Sequence, residues 1–374
     1  MVVGGSYVSG AEIVALDLMR GMQDRGHEVG CVMSGWNDGE LIRRLQTLDV
    51  PYQPIKVGVL SKRLELKYLK WTLDALVHLP KGWYDYWSFR RAFDPDIVVF
   101  HGLRQASMLR PFIEADETVH YVHGVPGDSL HQRRIIGEAE NTGRAYIGVS
   151  SFVRSRLVEQ GVPPEKAVTV HNGVEFVSED QLPSPSHEGP PTVGIVGQIG
   201  DWKGHGDLID ALHILQKQGQ KVRCRVVGEG DESYVEALRQ RARNYGLEDR
   251  MDWCGFVSET NDIYCDIDVC VVPSRCREAF GLVAAEAGIR RIPVVATRRG
   301  GLPEIVVDGE TGYLVEAEKP LELADRLGRL LETPEKRRYM GRQAREHVSE
   351  HFTRKRMVDE CEQVFCRVAG ADDR

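Results

Sequence analysis

The sequence predicts an α/β protein with two doubly wound parallel sheets, on three observations: its length, its short apolar runs and a proline-rich break near the middle. At 374 residues the chain exceeds the size at which one hydrophobic core keeps growing, so two domains are expected. Ile97-Val98-Val99-Phe100, Val193-Gly194-Ile195-Val196, Val269-Cys270-Val271-Val272 and Ile292-Pro293-Val294-Val295 are apolar runs separated by longer helical patterns. That alternation is the signature of strands buried on both faces. From Ser178 to Pro191 four prolines and several polar residues replace any apolar pattern, which predicts an interdomain linker.

Helical spacing is clear at Ala11, Val14, Ala15, Leu18 and Met22, and at Leu208, Ala211, Leu212 and Leu215. Both series follow i, i+3, i+4, i+7 and would cover the sheets. Met357, Cys361, Val364, Phe365 and Val368 predict one amphipathic helix at the end of the chain. The expected organisation is residues 1–178, residues 190–352 and a final helix over 353–374. Met1-Val2-Val3 leaves a short first strand, so pairing at its sheet's centre is expected to be weak.

Hydrophobic residues at 42% and charged residues at 28% exclude a mainly disordered or fibrous class. A net charge of -8 argues against nucleic acid as the main partner. The eight cysteines are scattered, with no C-x-x-C pair, which predicts free thiols in a reducing compartment. No long apolar run and no signal-peptide order occur, so a cytosolic protein is expected. Two D-x-D strings, Asp94-Pro95-Asp96 and Asp266-Ile267-Asp268, each precede an apolar strand. They read as turn residues, and no metal or other cofactor is expected.

The densest chemical signal runs from Pro273 to Ala287. A strand ending at Pro273 leads through a loop to a helix expected to start near Phe280, with Phe280, Gly281 and Leu282 the expected binding residues at its mouth. Its free N–H groups and positive dipole end suit a phosphate. Glu278 would lie at the helix mouth, with Glu286 about 9 Å further along. A carboxylate can accept two hydrogen bonds from a ribose diol, which suits Glu286, while Glu278 would face hydroxyls of a sugar. A capped helix with an exposed glutamate remains the alternative. The glycine-rich turn from Gly4 to Gly10 would let backbone amides approach an anion, or serve only as a tight connection.

Around these residues E-A-F-G-L-V-A-A-E is followed by P-V-V-A-T at Pro293 to Thr297, G-G-L-P-E-I-V at Gly300 to Val306 and D-G-E-T-G-Y-L-V at Asp308 to Val315. This stretch resembles the glycogen-synthase-like C-terminal domain of glycosyltransferase family 4. G-A-E at Gly10, V-H-G at Val122, H-N-G-V at His171, W-K-G at Trp202 and V-V-G-E-G at Val226 fall in that family's order. The resemblance implies the GT-B fold, two Rossmann-like domains facing a cleft, with the last helix returning to the first domain. It also implies a retaining transfer from a nucleotide diphosphate sugar (UDP or GDP), with donor bound mainly by the second domain and acceptor by the first.

By that resemblance Lys203 contacts the donor diphosphate, where an ammonium would stabilise the leaving group. The family often has an arginine a few residues earlier, where this chain has Gln198. Glutamine lacks the charge and fork of a guanidinium, and Arg275 or Arg277 are candidates to compensate. His123 would hydrogen-bond a sugar hydroxyl or orient the acceptor, while His101 and His171 occupy analogous strand ends with no role beyond lining. Phe256 and Val257 resemble the contact to the nucleobase, Phe256 being otherwise a core residue, and Glu229 approaches base or ribose. Gly10 completes the donor-binding set.

The stretch from Leu60 to Arg91 is net positive and interleaved with aromatic residues, among them Trp71, Trp83, Tyr84 and Trp87. Such a helix suits an anionic membrane surface or acceptor, or simply covers the first sheet. Two other functions stay open: a UDP-sugar epimerase of the same fold, and a non-catalytic nucleotide-sugar binder, which the missing arginine at Gln198 would suit.

Overall fold

The computed structural model describes residues 1–5, 8–56, 66–127, 136, 142–182 and 189–370. Ser6 and Tyr7 of the glycine-rich turn, residues 60–65 of the basic stretch and residues 183–188 of the expected linker lie outside the described residues. The chain divides into two compact units, Met1–Gly173 with Arg354–Arg374, and Val174–Thr353.

The first unit holds seven strands: β1 (Val2–Val3), β2 (Cys31–Ser34), β3 (Tyr52–Ile55), β4 (Val98–Phe100), β5 (Thr118–Val122), β6 (Ala145–Gly148) and β7 (Ala167–Thr169). They pair in parallel in the order β3-β2-β1-β4-β5-β6-β7. Strands this short and apolar are buried on both sides, as β2, β4, β5 and β6 are throughout. β1 is only two residues long, and the α-ammonium of Met1 donates to Gly30 O at 2.6 Å. Burial lowers the pKa of that ammonium. Beside it, at the amino edge of the sheet, a cavity of about 570 Å³ is lined by Met1, Gly30, Phe89, Phe93, Asp96 and Phe365 among others.

Helix α1 (Gly10–Gln23) buries Val14, Ala15, Leu18 and Met22, its predicted apolar face. Helices α2 (Glu40–Thr47), α3 (Leu66–Phe93), α4 (Leu103–Met108) and α5 (Ser151–Glu159) complete the described helices of the unit before the crossover. The second half of α3 covers the sheet. Tyr86 is buried, Trp83 Nε1 donates to Met108 O at 2.9 Å, and Arg90 pairs with Glu114 and Glu117 at 3.0 and 2.7 Å. Leu73, Leu76, Val77, Tyr84 and Trp87 of the same helix are exposed. No helix among the described residues is long and apolar enough to cross a membrane.

The second unit holds β8 (Thr192–Val196), β9 (Arg223–Val227), β10 (Met251–Gly255), β11 (Val269–Val272), β12 (Val294–Thr297) and β13 (Gly312–Val315), all parallel, in the order β10-β9-β8-β11-β12-β13. Between them run α6 (His205–Lys217), α7 (Glu232–Asn244), α8 (Thr260–Tyr264), α9 (Leu282–Ile289) and α10 (Leu302–Ile305). Helices α11 (Pro320–Leu331) and α12 (Pro334–His351) close the unit. Val193, Ile195, Val269, Val271 and Val295 of the sheet pack with Leu208, Leu212, Leu323 and Leu327 in one core cluster.

The division between units falls at Gly173, ahead of the proline-rich stretch expected to link them. The reason is visible in how residues 177–179 are fastened: Val177 is buried, and its carbonyl accepts from Arg345 Nη2 at 2.6 Å. Glu179 pairs with Arg291 at 2.8 Å. These groups tie the segment to the second unit, so the division falls shortly before the stretch where polar composition replaces the apolar pattern.

The final helix α13 (Arg354–Ala369) belongs to the first unit, with Met357, Val358, Cys361, Val364, Phe365 and Val368 buried. It packs on α1, where Arg354 pairs with Asp17 at 3.0 Å and Arg25 with Glu362 at 3.0 Å and with Asp359. Gly21 makes the close approach: a Cβ there would lie 2.6 Å from Val358 Cγ2. Gly21→Ala is expected to destabilise the first unit by about 1–3 kcal/mol through overpacking, read as a lower urea midpoint. Gly21→Ala combined with Val358→Ala should recover part of that loss.

Candidate functional site

In the second sheet the strand order reverses between β8 and β11, and the carboxyl ends of strands at such a switch point form a ligand crevice in open α/β sheets. The loop after β8 ends in a short 3-10 turn, Asp201–Lys203. The loop after β11 carries Ser274 and Glu278. Lys203 Nζ donates to Glu278 Oε1 at 2.6 Å, and the hydroxyl of Ser274, itself fully buried, donates to the same oxygen at 2.5 Å. Ser274 is held in turn, its carbonyl accepting from Thr297 Oγ1 at 2.8 Å.

The two loops touch backbone to backbone. Arg275 N donates to Trp202 O at 2.9 Å, and Gly301 N, from the loop after β12, donates to Glu278 O at 2.8 Å. Gly204 and Gly300 have φ of 75° and 66°, and a Cβ on either would lie 2.0 Å from the carbonyl oxygen of Pro273 or Glu278 respectively. Only glycine permits both the left-handed backbone and that proximity.

Helix α9 begins at Leu282 behind Gly281, whose φ of 114° turns the chain into it. The start is therefore two residues later than expected, because Phe280 is drawn into the core. Its ring is buried and meets Phe352 edge-on at 5.6 Å. The expectation that Phe280 binds the donor is thus corrected for its side chain: only its backbone lies at the helix mouth. Glu286 falls on the second turn of α9, about 6 Å from the first helical residue rather than 9 Å. The buried hydroxyl of Tyr264 donates to Glu286 Oε2 at 2.7 Å and orients the carboxylate. Burial, reinforced by that carboxylate, holds the Tyr264 pKa well above the usual phenol range.

The loops after β8, β9 and β10 are chained along the same edge. Ile199 N donates to Glu229 O at 2.7 Å and Gly228 N to Gly255 O at 2.8 Å. Gln198 and Glu229 are exposed there, and Val257 is half-buried. Phe256 is 71% exposed, so it is no core residue. Arg275 does not make good the missing arginine at Gln198. Its guanidinium grips Asp207 with two bonds, at 2.9 and 2.7 Å, and reaches Asp201 at 2.7 Å. Arg277 is exposed. Because Asp207 is buried, Arg275→Met is expected to cost about 3–5 kcal/mol by stranding its charge. Chemical denaturation checks this, and adding Asp207→Asn should return much of the loss.

Asp94 and Asp266 have positive φ and turn the chain into their strands, and Asp268 Oδ2 accepts from Thr192 N at 2.8 Å. Among the described residues no group of three His, Cys, Asp or Glu side chains could hold a metal ion.

In the first sheet the order reverses between β1 and β4. Gly4 and Gly5 follow β1, His101 follows β4 and His123 follows β5. His101 Nδ1 and His123 Nε2 are 2.9 Å apart. Burial pushes the His123 pKa down to about 3 and that of His101 well below its usual value. Gly10 is the first residue of α1, and Ser9 N donates to Glu12 Oε2 at 3.1 Å. Glu12 is a buried carboxylate in the first turn, so the positive end of this helix already faces an acid, which weakens its case as an anion site.

Of the three residues expected to be catalytic, Lys203 and Glu278 meet. His123 belongs to the other unit, where its partner is His101. A third histidine, His120, lies buried on β5 between Phe100 and Tyr146, with ring centroids 5.8 and 4.8 Å away, and burial lowers its pKa to about 4. In the unfolded chain it would titrate near 6.5. The folded state therefore binds fewer protons between those values, and stability present above about pH 6.5 is lost as pH falls towards 4. His120→Phe should flatten the slope of unfolding free energy against pH in this window by up to about 1.4 kcal/mol per pH unit.

Comparison with known proteins accords with this geometry. Residues 8–176 match the family described as glycosyltransferase family 4, and residues 177–347 that described as glycosyl transferases group 1. The D-inositol 3-phosphate glycosyltransferase of Corynebacterium aurimucosum is 34% identical over 301 residues, 70% of each chain. The chain belongs to glycosyltransferase family 4. The N-acetyl-alpha-D-glucosaminyl L-malate synthase of Bacillus anthracis is 34% identical over 163 residues, 44% of this family-4 chain and 42% of the relative. The match thus spans less than half the length of that relative. Among solved structures, Anabaena HepE in complex with UDP-glucose superposes with a TM-score of 0.79 over 98% of this chain and 99% of its own. Sucrose-phosphate synthase of Thermosynechococcus elongatus does so with a TM-score of 0.79 over 99% of both chains. Both are 20% identical to this family-4 chain, and the likeness shows the shared GT-B fold.

Three residues at the switch points of the two sheets escaped sequence reasoning: Ser274 and Arg275 as a clamp in the second unit, and His101 in the first. Ser274 stands four residues before Glu278 at a strand end, which was the available signal. The partners of Arg275 and His101 lie 68 and 22 residues away, at separations no local pattern reports.

Proposed function

We propose that this chain is a retaining, metal-independent glycosyltransferase that moves a hexose from a UDP- or GDP-sugar to a glycan, lipid or small-molecule acceptor. The observation carrying the reading is the Lys203–Glu278 ion pair at the switch point of the second sheet, with Ser274 on the same carboxylate oxygen. A partly exposed pair of this kind contributes about 1 kcal/mol at most, so a diphosphate with several negative charges could draw Lys203 away. Glu278 would then stay anchored through Ser274 and accept hydrogen bonds from hydroxyls of the transferred sugar.

In this mechanism the bond between the anomeric carbon and the diphosphate oxygen breaks, and its electron pair passes to the diphosphate. Lys203 and the first amides of α9, at Gly281 and Leu282, would stabilise that charge, so no metal is needed. The acceptor oxygen bonds to the anomeric carbon on the same face, and its proton leaves with the diphosphate. Glu286, oriented by Tyr264, suits the ribose diol, and exposed Phe256 with Val257, Gln198 and Glu229 suits the base and its surroundings. His123 would meet a sugar or acceptor hydroxyl. That HepE was solved with UDP-glucose supports a UDP-sugar, and membership of family 4 supports retention. The exposed apolar row Leu73, Leu76, Val77, Tyr84 and Trp87 supports a peripheral contact with an anionic membrane surface. The cysteines, unpaired among the described residues, fit a reducing, cytoplasmic location.

A panel of labelled UDP- and GDP-sugars offered with an acceptor pool tests the reading. The expected result is transfer that survives EDTA and falls about 100- to 1,000-fold in Lys203→Ala, the usual scale for losing one donor to a developing anion. Glu278→Gln should lose turnover with little loss of nucleoside diphosphate binding. A changed sugar without any acceptor would indicate an epimerase, and donor binding without turnover a non-catalytic binder.

A further inference from the structure

The switch point of the first sheet carries two histidines whose geometry is more specific than proximity. Their ring planes are inclined by 8° and their centroids lie 5.1 Å apart, while Nδ1 of His101 is 2.9 Å from Nε2 of His123. The centroid separation exceeds the nitrogen separation by about two ring radii. The rings therefore meet edge to edge in a common plane, not face to face, and the hydrogen bond between them is in line. Tyr121, fully buried on β5, backs both rings at 4.5 and 5.4 Å and fixes the arrangement.

A hydrogen bond between two neutral imidazoles needs one proton on the shared edge and no more. If His101 Nδ1 donates, His123 carries its own proton on Nδ1 and His101 Nε2 is a bare lone pair. If His123 Nε2 donates, His101 carries its proton on Nε2 and His123 Nδ1 is bare. In either state the pair shows one N–H and one lone pair to its surroundings. Both of these outer nitrogens, His101 Nε2 and His123 Nδ1, are buried with no hydrogen-bond partner among the described residues, and His101 is only 6% exposed. Gln105 Oε1, on α4 against Gly102, is likewise buried and without a partner among the described residues. Buried polar atoms left unsatisfied in this number, at a strand edge where ligands bind, call for polar groups from a ligand.

We propose that His101 is a positioning residue that forms one imidazole pair with His123, presenting to a hydroxyl-bearing ligand of the first unit one N–H donor and one lone-pair acceptor, never two of either. A polyol matches this, because each hydroxyl both donates and accepts; an anion, which only accepts, does not. The identification of that ligand as sugar or acceptor rests on the transferase reading above, but the tautomer rule does not.

The test is a long-range ¹H–¹⁵N correlation of the imidazole nitrogens in the full, ¹⁵N-labelled chain at about pH 7. The expected spectrum shows both rings neutral, with one of the two outer nitrogens protonated and the other bare. An imidazolium on either ring, or protons on both outer nitrogens, would overturn the proposal. His101→Asn places an amide where Nδ1 stands and should keep His123 in a single tautomer. His101→Leu should release it to a mixture, and an unchanged His123 spectrum in that variant would also overturn the proposal. Where transfer is measurable, kcat/KM should fall about tenfold in His101→Leu, the share of one hydrogen bond, and less in His101→Asn. Absence of transfer in the unaltered protein would sink the transferase reading while leaving the tautomer result standing.

Discussion

One oxygen of Glu278 receives two donors, the ammonium of Lys203 and the hydroxyl of Ser274, and the surrounding loops are shaped to keep that oxygen where it is. Lys203 arrives from the strand on one side of the switch point and Glu278 from the strand on the other, so their meeting depends on β8 pairing with β11 in parallel register. The glycines at 204 and 300 let the backbones close to contact, and the Arg275 clamp holds the 3-10 turn that carries Lys203 against α6. A rigid sheet thereby delivers two flexible side chains with little freedom left to lose. The ion pair itself is weak, and the hydroxyl beneath it gives the carboxylate a second anchor.

The first unit solves a related problem with neutral groups. Its histidines sit at equivalent strand ends, but burial keeps them uncharged, and their hydrogen bond couples their tautomers. The last helix completes this unit through ion pairs and a glycine contact on α1. The two candidate sites therefore differ: one carries an ion pair, the other neutral, directional donors and acceptors.

Much of the fold was legible because strands buried on both faces must be apolar throughout. The runs at β4, β8 and β11 appear within a residue of where they were expected, as do the faces of α1, α6 and α13. What periodicity did not show is where tertiary contacts override composition. The segment after Gly173 is pinned to the second unit by Arg345 ahead of the polar stretch, and the start of α9 slips past Phe280, whose ring is buried in the core. Lys203 and Glu278 were identifiable from motif context. Ser274 was passed over because serine beside a proline reads as a plain turn, and His101 because a histidine after a strand says nothing about which ring it will touch.

Both sheets share the order 3-2-1-4-5-6 over their first six strands; the second places its candidate residues after the strands that correspond to the first and fourth, and the first sheet after its fourth and fifth. None of the side chains concerned contributes to a ladder, since all stand beyond the last paired residue of their strand. Variation of those side chains leaves the hydrogen bonds of the ladders alone in a way that variation within the strands does not. A lineage can accordingly retune which molecules it accepts by lengthening or rewriting these turns, while the framework passes from one descendant to the next unaltered.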